Sequence, residues 1–224
     1  MKRISVVTNA RLQSTRVPQK LMRPFAGRSL LEIALERLNT LDFFDHRFLA
    51  AAEQPIIDMV QRYPNVEVLR RKPEAVARGV NPQTVTFAHY REVPSDYIFV
   101  LNPCLPFVSV DTIRKAHDYF QNSDYPSYTS VIKTGDWVFD SAGNPVTNTD
   151  PRNLTTNKNV QFYKAAHAFH IVSKQFFATN GFHWTFTRDD PHMIEIPEEE
   201  YVDVDTPMEF SFAEFLYEQS RSSR

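Results

Sequence analysis

Two short apolar runs, ISVVT at 4–8 and YIFVL at 97–101, limit this chain more than any other feature. Neither alternates polar with apolar residues, and both are too short for an ordinary helix. Each therefore reads as a strand buried on both faces, the kind found in parallel sheets covered by helices on either side. Helical patterns lie between them. Ser29-Leu30-Leu31-Glu32 is a capping box, opening a helix with Leu30, Leu31, Ala34, Leu35 and Leu38 on its apolar side. Further strands are expected at 46–51 and 66–69, separated by a short helix near 56–62. Helices are expected at 84–90 and 110–120, the second entered through Ser109 or Asp111. This β-α-β-α succession implies an α/β fold with a mainly parallel sheet flanked by helices.

From about residue 125 the pattern changes. Short β-like pieces at 128–133, 137–139 and 162–171 surround the polar stretch 141–159. With no break in composition, this reads as a small inserted β-rich arm or lid, about 135–175, within one domain spanning 1–224. Thr206-Pro207-Met208-Glu209 joins a capping box to a proline at the first helical position. The helix that follows carries Phe210, Ala213, Phe215, Leu216 and Tyr217.

Composition narrows the function. In 224 residues, 42% are hydrophobic and 23% charged, enough for a full core, which excludes global disorder. A net charge of −2 argues against a general nucleic-acid binder. No apolar run approaches membrane-spanning length, and MKRISVV enters the first strand without room for a signal peptide. The single cysteine, Cys104, excludes internal disulfides and cysteine-cluster zinc sites, and is expected to be buried and inert. A soluble, cytoplasmic protein is the expectation.

The near-neutral total hides an asymmetry. Seven basic residues (Lys2, Arg3, Arg11, Arg16, Lys20, Arg23 and Arg28) precede the first acidic one, Glu32. Between Arg188 and Arg221 stand eleven Asp or Glu and no Lys or Arg. Two oppositely charged surfaces would account for this. So would a site built from both ends, which suits a phosphate ligand carried with Mg²⁺.

The loop Asn9-Ala10-Arg11-Leu12-Gln13-Ser14-Thr15-Arg16-Val17-Pro18-Gln19-Lys20 sits where open α/β sheets bind ligands, beyond the end of the first strand. Arg11, Arg16 and Lys20 can neutralise phosphate oxygens, and Ser14, Thr15 and loop amides can donate to them. Neither a P-loop nor a G-x-G-x-x-G is present, since the only glycines are 27, 79, 135, 143 and 181. Near the other end, Asp203-Val204-Asp205 places two carboxylates on one side of an extended segment, where both can meet one hard cation. Asp near a helix N-terminus is equally explained as a charge–dipole partner.

The loop resembles the signature loop of the sugar-acid cytidylyltransferases, the family of acylneuraminate and 3-deoxy-manno-octulosonate cytidylyltransferases. Ala10, Arg11, Ser14, Thr15, Arg16, Pro18 and Lys20 fall on its pattern, A-R-x-x-S-T/K-R/G-x-P-x-K, and Gly27-x-x-Leu30-Leu31 follows it as in the family. D-V-D-T-P-M-E at 203–209 is similar to the family's metal-binding segment. The resemblance implies a Rossmann-like fold of the nucleotide-diphospho-sugar transferase type, with an arm that often exchanges across a homodimer. It implies that Ala10, Arg11, Ser14, Thr15, Arg16 and Lys20 bind the triphosphate of CTP, and that Asp203 and Asp205 hold Mg²⁺. Arg11, Lys20 and Asp205 are then the catalytic set. A sugar acid of the sialic or nonulosonic type would take CMP from CTP, releasing pyrophosphate.

Arg71-Lys72-Pro73-Glu74 is similar to the family's R-P-E segment, near which the base is read, with Lys72 in place of its Arg and Arg71 beside it as a substitute. Asn102 stands where the sialic-acid enzymes carry a Gln that contacts the sugar. Cys104 stands where the octulosonate enzymes carry a metal-binding Asp, and thiol is a poor magnesium ligand. The segment 163–170 matches one that lines the acceptor pocket, which assigns His167 and Phe169 to the acceptor. Ala166-His167 replaces its Asn-Gly, pointing to an altered pocket. His167 and His170, three apart on a strand, are expected to point to opposite faces, which disfavours a zinc pair. Phe182, Trp184 and Phe186 are expected in core or arm contacts. The rival readings are the same fold with another acid, a phosphonate included, a non-catalytic nucleotide or nucleotide-sugar binder, and a sugar-binding or scaffold protein without a nucleotide site.

Overall fold

The computed structural model describes residues 1–77, 82–147, 152 and 161–222. Strand β1 (Ile4–Asn9) leads through a loop into a two-residue hairpin, β2 (Pro24–Phe25) and β3 (Arg28–Ser29), and then α1 (Leu30–Thr40). Next come β4 (Arg47–Ala51), α2 (Gln54–Val60), β5 (Glu67–Arg70), α3 (Pro73–Val76) and α4 (Gln83–Thr86). A 3₁₀ turn at Ala88–Glu92 precedes β6 (Tyr97–Leu101), α5 (Val110–Gln121) and β7 (Ser127–Thr134). The chain ends with β8 (Phe162–Ser173), α6 (Lys174–Asn180), β9 (His192–Glu195) and α7 (Pro207–Ser222).

Seven strands form one sheet in the order β5-β4-β1-β6-β8-β7-β9. The β5/β4, β4/β1, β1/β6 and β7/β9 pairs are parallel, and β8 alone runs antiparallel to its neighbours β6 and β7. Five consecutive residues of β1, Ile4 to Thr8, are buried, so both faces of the strand are covered. Ile4 and Val6 join the larger apolar cluster with Leu30, Leu35 and Leu38 of α1. Val7 joins a second cluster with Phe48, Tyr90 and Phe177 on the other face. The continuous apolar runs are thus explained by helices on both sides.

Local signals set the helix ends. Ser29 Oγ accepts from the Glu32 amide at 3.2 Å and Ser109 Oγ from that of Thr112 at 3.1 Å. Thr206 Oγ1 accepts from the Glu209 amide at 3.2 Å, while the Glu209 carboxylate accepts from Thr206 N at 2.7 Å and Asp205 N at 3.0 Å. Each cap satisfies amides that the first helical turn leaves free.

Three expectations change in detail. The helix expected at 84–90 is short α4 followed by the 3₁₀ turn. The piece at 137–139 contributes only an isolated bridge, Phe139 to Pro145. Of the segment 135–175 expected as an arm, Phe162–Ser173 is β8, hydrogen-bonded inside the main sheet. Residues 148–151 and 153–160 of that segment lie outside the described residues. No helix among the described residues is long and apolar enough to cross a membrane.

Candidate active site

The strand order places a crevice at β1. From β1 the chain winds outward to β4 and β5, then returns to β6 on the opposite side. The loops leaving β1 and β6 therefore diverge, and such a reversal is where open α/β sheets bind ligands. A cleft of about 190 Å³ lies there, lined by Asn9, Arg11, Ser14, Thr15, Arg16 and Lys20 from one loop and by Asn102, Pro103 and Cys104 from the other. Asp205 completes it from the C-terminal segment.

Buried anchors hold the first loop. Val17 is fully enclosed, Leu12 N donates to Glu53 Oε1 at 2.9 Å, and Lys20 N donates to Val17 O at 3.1 Å. Buried Arg37 of α1 holds the second, donating to the carbonyls of Val108 (2.8 Å), Leu105 (3.0 Å) and Asn102 (3.4 Å). Burial lowers the Arg37 pKa to about 10, so the guanidinium stays charged at neutral pH. The C-terminal segment is tied down through Val204 N, which donates to Cys104 O at 3.1 Å.

The two ends of the chain meet here. Lys20 Nζ lies 3.0 Å from Asp205 Oδ1 and also donates to Val204 O, while Arg16 Nη2 lies 3.0 Å from Asp205 Oδ2. Burial opposes the charge on Lys20, but the Cys104 sulfur and the Asp205 carboxylate outweigh it and raise the lysine's pKa. Burial likewise opposes Asp205 ionisation, yet Lys20 and Arg16 hold that carboxyl below its ordinary value. Asp203 goes the other way, raised by burial and by the neighbouring Asp205 charge. The site therefore holds one carboxylate matched by cations and one that is under-compensated.

The other expected residues divide. Ala10 is buried behind the loop, at 1% exposure. Arg71 is buried, its Nη1 and Nη2 donating to the carbonyls of Ala75 (2.9 Å), Thr86 (3.2 Å) and Ala10 (3.4 Å), and Lys72 is exposed ahead of α3; neither lines the cleft. His167 is exposed beside it, its carbonyl accepting from Asn102 Nδ2 at 3.0 Å. Phe169, expected to line the acceptor pocket, is fully buried against Phe99, 4.9 Å between ring centroids, so it packs the core instead. Cys104, expected to be buried, is half-buried on the cleft wall, and burial raises its thiol pKa. Trp184 packs on the second apolar cluster, whereas Phe182 and Phe186 are exposed.

His167 and His170, expected on opposite faces, are together, with His167 Nδ1 3.4 Å from His170 Nε2. The cause is a bulge. Between the paired positions Thr129/His170 and Val131/Ala165, one residue of β7 faces four of β8. His167 sits in that bulge with φ +52°. Sequence reasoning placed Asn9 in the candidate loop without giving it a role, and it missed Arg37. Asn9 directly follows the first apolar run, and Arg37 interrupts the apolar side of α1; both signals were available.

A Rossmann-like mainly parallel sheet with a cation-lined cleft at its reversal defines a nucleotidyltransferase-type fold. The chain belongs to the cytidylyltransferase family, whose model matches residues 6–221. It is 22% identical over 134 residues to the 3-deoxy-manno-octulosonate cytidylyltransferases of Rickettsia felis and Rickettsia akari, covering 58% of this chain and 52% of theirs. The chain thus spans about half the length of the curated relatives it matches. The fold is similar to that of CMP:2-keto-3-deoxy-manno-octonic acid synthetase complexed with CTP, with a TM-score of 0.70 at 13% identity, over 98% of this chain and 100% of that one. It is also similar to that of 4-diphosphocytidyl-2C-methyl-D-erythritol synthase from Anaerococcus prevotii, with a TM-score of 0.65 at 15% identity, over 96% and 98%.

Proposed function

We propose that the chain transfers CMP from CTP to a sugar acid and releases pyrophosphate. The observation that carries this reading is the junction of Lys20 and Arg16 with Asp205, each at 3.0 Å, inside the cleft at the sheet's reversal. Family membership and the CTP-bound structural relative support the nucleotide, and the octulosonate relatives support a 2-keto sugar acid.

An acceptor oxygen attacks the α-phosphorus in line. A new P–O bond forms, the bond to the β-phosphate bridging oxygen breaks, and its electron pair leaves with pyrophosphate. Such a transfer needs alignment and neutralisation of charge rather than a covalent enzyme intermediate. Arg11, Arg16 and Lys20 bind the triphosphate and offset the charge that builds on the departing pyrophosphate. Ser14 and Thr15 donate to its oxygens.

The donor set fits Mg²⁺ only together with substrate. Two carboxylates, those of Asp203 and Asp205, are what the site offers, and no group of three metal-ligating side chains exists among the described residues. Magnesium accepts that arrangement because phosphates and waters complete its shell. The raised pKa of Asp203 marks a carboxyl that a nearby cation would relieve. When bound, Mg²⁺ would supply further charge neutralisation at the phosphates.

A different acid, such as a phosphonate, is the second reading, favoured by the imidazole of His167 beside the cleft. The test is pyrophosphate release from CTP, UTP, ATP and GTP against a panel of 2-keto acids and phosphonates. CTP with a 2-keto acid is expected to react, and Asp205→Asn to cut kcat by about a hundredfold or more with the fold retained. Undiminished turnover in that variant would remove Asp205 from the catalytic set.

A further inference from the structure

On the acceptor side of the cleft, a chain of three side chains fixes which proton His167 carries. Thr129 is buried, and among the described residues its hydroxyl meets only His170 Nδ1, at 2.9 Å. A buried donor left unpaired costs more than a spare lone pair, so the hydroxyl donates. Burial, helped by the neighbouring His167 and His183, lowers the His170 pKa to about 3, leaving that ring neutral. With Nδ1 accepting, the single N–H of His170 is on Nε2, facing His167 Nδ1 at 3.4 Å. His167 must accept there, so its own N–H is on Nε2. The groups facing this pair are His183 beside His170 and Asp203 of the C-terminal segment beside His167.

Two further observations give the relay a purpose. His167 holds φ +52°, a left-handed conformation that is uncommon outside glycine. Ser130 maintains it, its hydroxyl accepting from Ala168 N (2.9 Å) and Phe169 N (3.0 Å) within the bulge. Asn102, which lines the cleft together with Arg16 and Lys20, donates to the His167 carbonyl, and the His167 imidazole lies near enough to Asp203 to act on its charge. The Arg16 and Lys20 cations suit the triphosphate, which leaves the side of Asn102 and its neighbour His167 for the second substrate.

We infer that the Thr129–His170–His167 chain presents His167 Nε2–H as a fixed donor to a carboxylate oxygen of the acid acceptor, making His167 a specificity-determining residue and Thr129 and His170 positioning residues. This rests on the transfer reading above, and the experiment separates the two.

Steady-state pyrophosphate release is measured with Mg²⁺·CTP and either 3-deoxy-manno-octulosonate or N-acetylneuraminate, for wild type, His167→Gly, His167→Asn and Thr129→Val. His167→Gly relieves the backbone but removes the donor, so KM for the acid is expected to rise about tenfold with KM for CTP unchanged. His167→Asn tolerates the backbone and keeps an N–H, so it is expected to stay within about threefold of wild type. Thr129→Val is expected to raise KM for the acid several-fold. A merely structural role would instead make His167→Gly as good as wild type or better, and that result overturns the inference. Independently of any substrate, ¹⁵N NMR is expected to find both His170 and His167 protonated on Nε2; a proton on His170 Nδ1 overturns the relay. If Mg²⁺·CTP raises the wild-type Tm yet neither acid yields pyrophosphate, the transfer reading to these acids fails. The acid titrated into the CTP-bound protein then decides, a shift of the His167 Nε2 resonance supporting the donor and an unmoved resonance overturning it.

Discussion

Arg37 shows how much one buried charge can organise. It gives the Asn102–Val108 loop three hydrogen bonds without an ion-pair partner at contact distance among the described residues. Arg37→Met keeps most of the apolar stem but strands those carbonyls. Unmet buried acceptors cost about 1–3 kcal/mol each, and neighbouring ones relax together, so a loss of roughly 2–4 kcal/mol is expected in urea unfolding. A loss well under 1 kcal/mol would mean that water reaches the carbonyls. Single residues were unevenly legible. The cations of the β1 loop and the Asp205 carboxylate could be named because their types and spacing follow from phosphate chemistry. Phe169 could not be placed, because alternation along β8 fails at the bulge and turns its ring into the core.

The bulge is the element that brings His167 and His170 together. Ser130 faces the widened stretch of β8, accepting two backbone N–H groups and donating to Phe169 O at 3.0 Å. Ser130→Ala removes all three contacts in a buried place. A destabilisation of about 1–3 kcal/mol is expected in urea unfolding, together with loss of the close His167–His170 approach in NMR spectra. An unchanged midpoint would show that the bulge closes by itself. Elements were legible where burial wrote a simple pattern. Strands β1 and β6 read as unbroken apolar runs because helices cover both their faces, and α1, α5 and α7 announced their starts through capping residues. Short β9 and the β2–β3 hairpin passed unnoticed, since two to four residues of mixed polarity carry no period.

At the scale of the molecule, three histidines, His89 buried and His170 and His183 half-buried, tie stability to pH. Burial, with the Arg71 charge, lowers His89 to about 3; burial lowers His170 to about 3, with His167 and His183 adding to it, and His183 to about 4. Unfolded histidine titrates near 6.5, so between about pH 6.5 and 4 the unfolded chain binds protons that the folded one refuses. Their contribution is intact above about pH 6.5 and declines as the pH falls, by up to about 1.4 kcal/mol per unit for each histidine. Urea midpoints are expected to drop between pH 7 and pH 5, and equal midpoints would show that these rings are hydrated in the fold. The opposite charge of the two ends fitted either two separate surfaces or one shared site, and the fold brings the ends together at Lys20 and Asp205. The pieces at 128–133 and 162–171 were legible as strands and are β7 and β8, but their place inside the main sheet was not, because β7, β8 and β9 pair through long-range contacts.

The central claim is that the chain's two ends build one magnesium–nucleotide site. Calorimetric titration of CTP, with and without Mg²⁺, into wild type and Lys20→Met tests it most directly. Saturable binding that tightens with Mg²⁺ and weakens about tenfold or more in Lys20→Met is the expected result. Equal affinity in the two proteins, or no binding to the wild type, would contradict it.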